Sequence, residues 1–297
     1  MDGFLIVDKP KGITSFSLCN KIKYALKLEK TGHSGTLDPN ASGLMLIAVN
    51  KATKLLKLFN YDEKSYLATI AIGLDSDTLD MDTKKITKVK MDVTLDDIKN
   101  ALKNLKNKKT QIPPMTSAIK INGKKLYEYQ RNNIEVDLKE RNVELLDYEI
   151  KSDLLLIDGV YYIDLYLHVS KGFYIRSLAR DLGELLNGKA ILKDLRRLSI
   201  GKFNINDSIK LENLTQNNII PITSILDLEK LEVNDYIAHL VLNGITLDER
   251  QIITENVFYV TNNNAIIAIY EPVSKYKYKP ILILEKSDKL ENNIYKG

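Results

Sequence analysis

Gly32-His33-Ser34-Gly35-Thr36-Leu37-Asp38-Pro39-Asn40-Ala41-Ser42-Gly43 is the stretch around which the rest of the chain is arranged. Three glycines and one proline in twelve residues exclude a regular helix or an internal strand. They predict a shaped loop that sets one imidazole close to one carboxylate. The unbroken apolar run Leu44 to Val49 follows directly and reads as a buried strand anchoring the far end of the loop. Catalytic groups tend to sit on loops held by rigid strands. The competing reading is a surface turn in which Asp38 only caps the turn ahead of Pro39. The flanking sequence has to decide between them.

Working outward, Phe4 to Val7 is a short apolar run ended by the turn Asp8-Lys9-Pro10-Lys11-Gly12. A helix is expected to start near Thr14 or Ser15, either of which can cap it. Leu18, Ile22, Ala25 and Leu26 would form its apolar face. Beyond the Leu44–Val49 strand, Ala52 to Phe59 reads as helical, with Leu55, Leu56 and Phe59 on its buried side. Tyr66, Ala68, Ile70 and Ile72 alternate with their neighbours as one face of a strand. The acidic patch Asp75 to Asp82 invites a calcium reading. It fails the EF-hand pattern, because Asp80 replaces the required glycine and Ile86 the required glutamate. Thr94-Leu95-Asp96-Asp97 reads as a capping box opening a helix to about Leu105.

A lysine-rich hinge, Lys106 to Lys109, leads to Pro113-Pro114, which preclude a central strand. Lys120, Lys124, Lys125, Tyr127 and Arg131 then mix cations with an aromatic ring, the composition of a nucleic-acid contact and equally of solvated surface. Strand-like stretches Val143–Ile150 and Val160–Val169 precede Ser170-Lys171-Gly172-Phe173-Tyr174-Ile175-Arg176. In the helix that follows, Ile175, Leu178, Ala179, Leu182, Leu185 and Leu186 form the apolar face, and Arg176 lies off it. From about residue 235 short strands broken by Asn and Gly predict a small β-rich second domain.

The bulk numbers narrow the class. At 297 residues, with 44% hydrophobic and 28% charged side chains, the chain can bury one sizeable core plus a satellite. A net charge of +4 is compatible with a polyanionic partner without demonstrating one. The single cysteine, Cys19, excludes an internal disulfide and suits a reducing compartment. Three scattered histidines and no cysteine pair argue against a zinc site. The amino terminus lacks a signal-peptide layout, and no apolar run reaches membrane-spanning length, so a cytoplasmic protein is expected.

The reactive groups are few. Ser34 is followed by Gly35 and Thr36, so no Gly-x-Ser-x-Gly elbow exists, and no phosphate-binding loop or dinucleotide fingerprint is present. A carboxylate on a glycine-framed loop, a neighbouring histidine, tyrosines and many cations suit chemistry at a sugar, where a carboxylate can support an electron-poor anomeric carbon.

Gly32 to Pro39, with Ala41 and Gly43, resembles the signature of TruB-type tRNA pseudouridine synthases. Asp8-Lys9-Pro10-Lys11-Gly12-Ile13-Thr14-Ser15 is similar to that family's amino-terminal motif, and Lys64-Ser65-Tyr66 to its Lys-x-Tyr strand. Pro113-Pro114 through Tyr127-Glu128 resembles its RNA-gripping insertion. Ser170 to Gly183 and Leu195-Arg196-Arg197 complete the set in family order. The resemblance spans roughly residues 3–203 and implies a bacterial stand-alone enzyme converting uridine 55 of the tRNA T-loop to pseudouridine.

It implies an α/β (α+β) fold: a mixed, largely antiparallel sheet with flanking helices and a catalytic cleft, then a small β-rich PUA-like unit. Residues 1–235 would form the catalytic domain, with the insertion at about 110–140, and 236–297 the PUA-like RNA-binding domain. Asp38 would be the nucleophilic aspartate, paired with Arg176, which would keep it ionised despite burial. Tyr66 would stack on the flipped base and serve as proton acceptor. His33 would press into the T-loop, Tyr174 line the pocket and Leu195 contact the base. Lys9 and Pro10 would support the pocket wall, and Lys64 and Lys120 would contact RNA. No metal or organic cofactor and no protein partner is implied, only the tRNA T-arm; a monomer is the default. Thr116 stands where the family has tyrosine, Asn50 where it has glycine, and Asp82-Thr83 where an acidic-Gly pair is expected. All are expected to lie off the pocket. The rival readings are a guide-RNA-dependent relative and an RNA chaperone acting on the tRNA elbow.

Overall fold

The Leu44–Val49 run lies within an eight-residue strand, Ser42–Val49, in which every residue is buried. Such a strand must be covered on both faces. In this computed structural model, which describes residues 1–58, 63–83, 85–117, 119–121, 123–132, 134 and 136–284 of the chain, it runs near the middle of a mixed sheet. The principal strands of that sheet are β1 (Gly3–Lys9), β2 (Thr31–His33), β3 (Ser42–Val49), β4 (Lys64–Ile72), β5 (Leu145–Ile150), β6 (Val160–Val169) and β7 (Ala190–Ile200). Their order is β5-β6-β4-β7-β3-β1, with β2 paired to the far end of β3. Neighbours are antiparallel except β7 and β3, which meet in parallel at Arg196↔Ser42 and Arg197↔Gly43. Gly32 and His33 are therefore in a short edge strand rather than in the loop proper.

Three helices cover one face. Helix α1 (Ser15–Ala25) is capped by the Thr14 hydroxyl, which accepts from the Ser17 amide. Leu18, Cys19, Ile22 and Leu26 are buried there, whereas Ala25 is exposed, outside the apolar stripe expected of it. Helix α2 (Leu95–Asn107) begins with the expected capping box, Thr94 and Asp97 exchanging hydrogen bonds. After the short α3 (Leu126–Arg131), α4 (Ile175–Leu185) packs Leu178, Ala179 and Leu182 inward. Its apolar stripe is one residue shorter than expected, since Leu185 is exposed. Asn50–Lys57, expected to be an ordinary helix, is a 3-10 helix that buries Ala52 and Leu55. Phe59 lies outside the described residues.

The other face carries the second sheet. After α5 (Ile222–Ile225), β8 (Glu229–Glu232) pairs in parallel with β9 (Phe258–Asn262), followed by β10 (Ala265–Ser274) and β11 (Lys277–Ile283), with α6 (Asp235–Leu242) against them. Leu5, Val7, Met45 and Ile47 point to the helices, whereas Phe4, Ile6, Leu44 and Leu46 meet Ile225, Tyr259 and Ile269 on the other side. This two-sided burial is why β3 reads as continuous rather than alternating. The architecture is α+β with a mixed, largely antiparallel sheet, as the resemblance implies.

Candidate active site

The loop between β2 and β3 is fastened from three directions. From β1, the fully buried Lys9 ammonium donates to the carbonyls of Pro10, Pro39 and Ala41 at 3.0, 3.2 and 2.6 Å. From the start of α1, the Ser15 hydroxyl donates to the Leu37 carbonyl at 2.8 Å and accepts from the Leu37 amide at 2.9 Å. From β7, the buried Arg197 guanidinium donates to the Leu44 carbonyl at 2.7 Å and the Gly35 carbonyl at 3.2 Å. Irregular backbone needs partners of this kind once it leaves a ladder. Gly43 is required here: its φ is +109°, and a Cβ would fall 2.2 Å from the Arg197 carbonyl oxygen.

This clamping presents Asp38 to Arg176, the second residue of α4, with 3.1 Å between Oδ2 and Nη2. The pair expected from sequence is formed. Arg176 is itself buried and held by the carbonyls of Thr78 at 3.1 Å and Thr116 at 3.0 Å, by the Thr116 hydroxyl, and by the Asp80 carboxylate at 3.6 Å. Asp80 belongs to the acidic patch for which sequence suggested only a rejected calcium loop. Thr116 lies at the pocket, contrary to expectation. So does Asp82 electrostatically, because its charge acts on Asp38.

Burial pushes the Asp38 carboxyl above the ordinary carboxylate range, and the charges of Asp80 and Asp82 push it further; Arg176 and Lys9 oppose them without cancelling the effect. Arg176 is the largest of the influences that favour the ionised carboxylate, in the direction expected of it. The Asp38 side chain is still 42% accessible, and it opens into a cavity of about 490 Å³. That volume is ample for a nucleoside.

Tyr66, Tyr174, Leu195, Lys64, Thr116 and Arg176 line the same cavity. Tyr66 pairs across the sheet with Arg197, whose guanidinium reaches the tyrosine hydroxyl. Tyr174 caps α4 through its backbone, which the buried Gln111 amide side chain holds with two hydrogen bonds, at 2.9 and 3.1 Å. Burial raises the Tyr174 hydroxyl above its ordinary pKa. His33 is at the end of β2; burial lowers its pKa, aided by Arg197, and its Nδ1 has no hydrogen-bond partner among the described residues. Lys9 lies beneath the loop and its burial lowers it to about 8. Neither Lys9 nor the exposed Pro10 lines the cavity. The Lys120 side chain, like those of Lys125, Tyr127 and Arg131, lies outside the described residues; the backbone at Lys120–Ile121 pairs with Lys124–Lys125. Among the described residues, no group of three or more His, Cys, Asp or Glu side chains could hold a metal ion, and no helix is long and apolar enough to cross a membrane.

Arg197 and Gln111 escaped the sequence reading as individual residues. Arg197 was visible only as part of a motif, and nothing local marks Gln111 as a backbone clamp. Asn50 is explained by its backbone: at φ +51° it occupies the left-handed region where glycine is easiest, and its side chain ties the Glu29 and Lys30 amides to the start of the chain.

The chain that builds this carboxylate, arginine fork and aromatic-walled cavity matches a known set of proteins in sequence. The family model of the TruB family pseudouridylate synthase N-terminal domain covers residues 23–175. The chain belongs to the TruB family of pseudouridylate synthases. The model of the tRNA pseudouridylate synthase B C-terminal domain matches residues 176–232 of this TruB-family chain. The tRNA pseudouridine synthase B of Onion yellows phytoplasma (strain OY-M) is 41% identical over 283 residues, covering 94% of this chain and 99% of the relative. The protein of that name from Clostridium kluyveri is 38% identical over 262 residues, covering 86% and 89%. Among solved structures, a Cbf5-Nop10-Gar1 complex contains a chain with the same fold, at a TM-score of 0.69 and 23% identity over 96% of this chain and 86% of that one. The TruB-family chain is a pseudouridine synthase.

Proposed function

We propose that this enzyme isomerises uridine 55 in the T-loop of tRNA to pseudouridine, with Asp38 as the catalytic carboxylate. The single observation that carries the reading is the Asp38–Arg176 pair at 3.1 Å, set at the wall of a nucleoside-sized cavity flanked by two tyrosines. The curated relatives named for tRNA supply the substrate class.

Isomerisation breaks the bond from N1 to C1′ and forms one from C5 to C1′, while C5 loses a proton and N1 gains one. The ribose carbon is electron-poor in between, so a carboxylate beside it stabilises the passage, and a closed pocket keeps water away. Asp38 supplies that charge and Arg176 aims it. Tyr66 stacks on the flipped uracil and accepts the C5 proton. Tyr174 and Leu195 wall the base, His33 meets the displaced T-loop as a neutral ring, and Lys64 and Lys120 bind phosphate. Lys9, with Pro10, supports the wall from beneath. Flipping costs a few kcal/mol, which stacking of about 1–3 kcal/mol per base returns.

Residues 1–235 serve as the synthase unit, gripping RNA with residues 110–140, and 236–297 as a PUA-like RNA-binding unit; the cluster joining α6 to the small sheet supports a second unit, to which β8 and the start of α6 contribute from before that boundary. The enzyme works as a cytoplasmic monomer without cofactor or guide RNA. The test is tritium release from 5-labelled uridine in a tRNA transcript, with mass-shift mapping of the product. Wild type should release tritium from a bare T-arm hairpin as well, and Asp38→Asn should release none. Turnover by Asp38→Asn, or a requirement for a guide RNA, would overturn the assignment.

A further inference from the structure

The solvent face of α1 is an unusual surface. Phe16 is 71% exposed and Tyr24 77%. At 100° per residue Phe16, Asn20, Lys23 and Tyr24 fall within one arc, opposite the buried Leu18 and Ile22, and Lys27 follows in the turn just past the C-cap Leu26. The Lys23 ammonium stands 6.0 Å from the centre of the Tyr24 ring. Two large rings turned to water on one helix face are open to stacking by a partner. From Lys9 to Leu28 the chain contains no Asp or Glu but five lysines, Lys9, Lys11, Lys21, Lys23 and Lys27. Among the described residues, Lys23 and Lys27 make no ion pair, so their charges are available to a polyanion.

The position of the stripe says which polyanion. Phe16 follows Ser15, the residue whose hydroxyl holds both backbone groups of Leu37 beside Asp38. The stripe therefore starts beside the Asp38 loop and extends about 12 Å along the helix from Phe16 to Tyr24, in the layer packed on the face of the sheet that carries the cavity. We propose that this face of α1 is a stacking and phosphate-binding platform for the RNA strand flanking the target nucleotide. Phe16 and Tyr24 take bases and Lys23 and Lys27 take phosphates, an arrangement known to tolerate any sequence. The inference rests on the reading of the site as an RNA-modifying one.

The test uses the full chain and a T-arm hairpin, with binding measured in the Asp38→Asn background and turnover in the wild-type background. Phe16→Ala/Tyr24→Ala should weaken hairpin binding about tenfold or more, from the usual loss per stacked ring. Lys23→Glu/Lys27→Glu should weaken it similarly and reduce the slope of log affinity against log salt by about 1.4, two single-strand phosphate contacts. In both, the single-turnover rate at saturating RNA should stay within about twofold, since neither pair touches the cavity. Lys103→Glu, the same charge change on an exposed position of α2, should alter binding less than twofold. Wild-type affinity in the ring variant, an unchanged salt slope in the lysine variant, or an equal loss with Lys103→Glu would each overturn the proposal. Failure of the wild type to make pseudouridine would instead defeat the reading on which it rests.

Discussion

Arg176 has its partners before any substrate arrives: two carbonyls, a hydroxyl and the Asp80 carboxylate fix the fork that meets Asp38. A guanidinium held this way is pre-organised, which a lysine could not reproduce. On the proposed mechanism the working form of Asp38 is the carboxylate, so activity should fall as pH drops through its raised pKa. Asp80→Asn removes a like charge and leaves Arg176 fewer anions to serve, so the acid limb of kcat/KM should move to lower pH. The rate at neutral pH should still fall, by about 10- to 100-fold, because the fork loses an anchor. Arg176→Lys should move the limb the other way; pH–rate profiles of the three enzymes distinguish these outcomes. Lys9 gives a separate pH signature, in stability. Its pKa falls from 10.5 in the unfolded chain to about 8 in the fold, so between those values the unfolded state binds more protons and unfolding free energy rises with pH. Urea melts from pH 7.5 to 10 should show the wild type gaining on Lys9→Met across that window. A parallel pH dependence in the two proteins would remove Lys9 as its source.

At the scale of elements, the junction of β3, β7 and α4 does the positioning. β7 passes within backbone contact of Gly43 on one side, and its first residue, Ala190, meets Gly183 of α4, where a Cβ would fall 2.3 Å from the Ala190 nitrogen. Gly43→Ala combines a left-handed φ with a backbone collision and should cost at least about 2 kcal/mol in a chemical melt. Arg197→Met should leave the sheet intact and cost activity more than stability, because the loop carbonyls of Gly35 and Leu44 lose their donor. Circular dichroism beside the tritium assay would separate the two effects. Much of this junction could be read in advance. The glycines and Pro39 marked the loop, the Leu44–Val49 run marked β3, and family order joined Asp38 to Arg176. What could not be read was long-range: Asp80 and Thr116 reach Arg176 from about 96 and 60 residues away in sequence, with no local pattern to announce it. The 3-10 geometry of Asn50–Lys57 was equally hidden, because an apolar residue every third or fourth position suits either helix type.

At the scale of the molecule, the central sheet is a wall between two cores. The helices and the Asp38 loop occupy one side, and the second sheet presses Tyr259 and Ile269 onto Phe4, Leu46 and Ile225 on the other. The Lys54 ammonium adds a polar tie, donating to the Ile283 carbonyl at 2.9 Å. Since β1 and β3 carry both Lys9 and the far end of the Asp38 loop, the second sheet braces the candidate site from behind without approaching it. An RNA-binding appendage hung on a linker would behave otherwise: it would melt independently and leave the synthase unit unaffected. Interlocked cores instead predict one cooperative transition for the whole chain. Ile269→Ala, at a position with no exposure, should cost about 2–4 kcal/mol and lower the melting temperature seen from a probe in either sheet alike. Two transitions in calorimetry, with only the second-sheet probe shifted, would show that the back face of β3 is not a shared core.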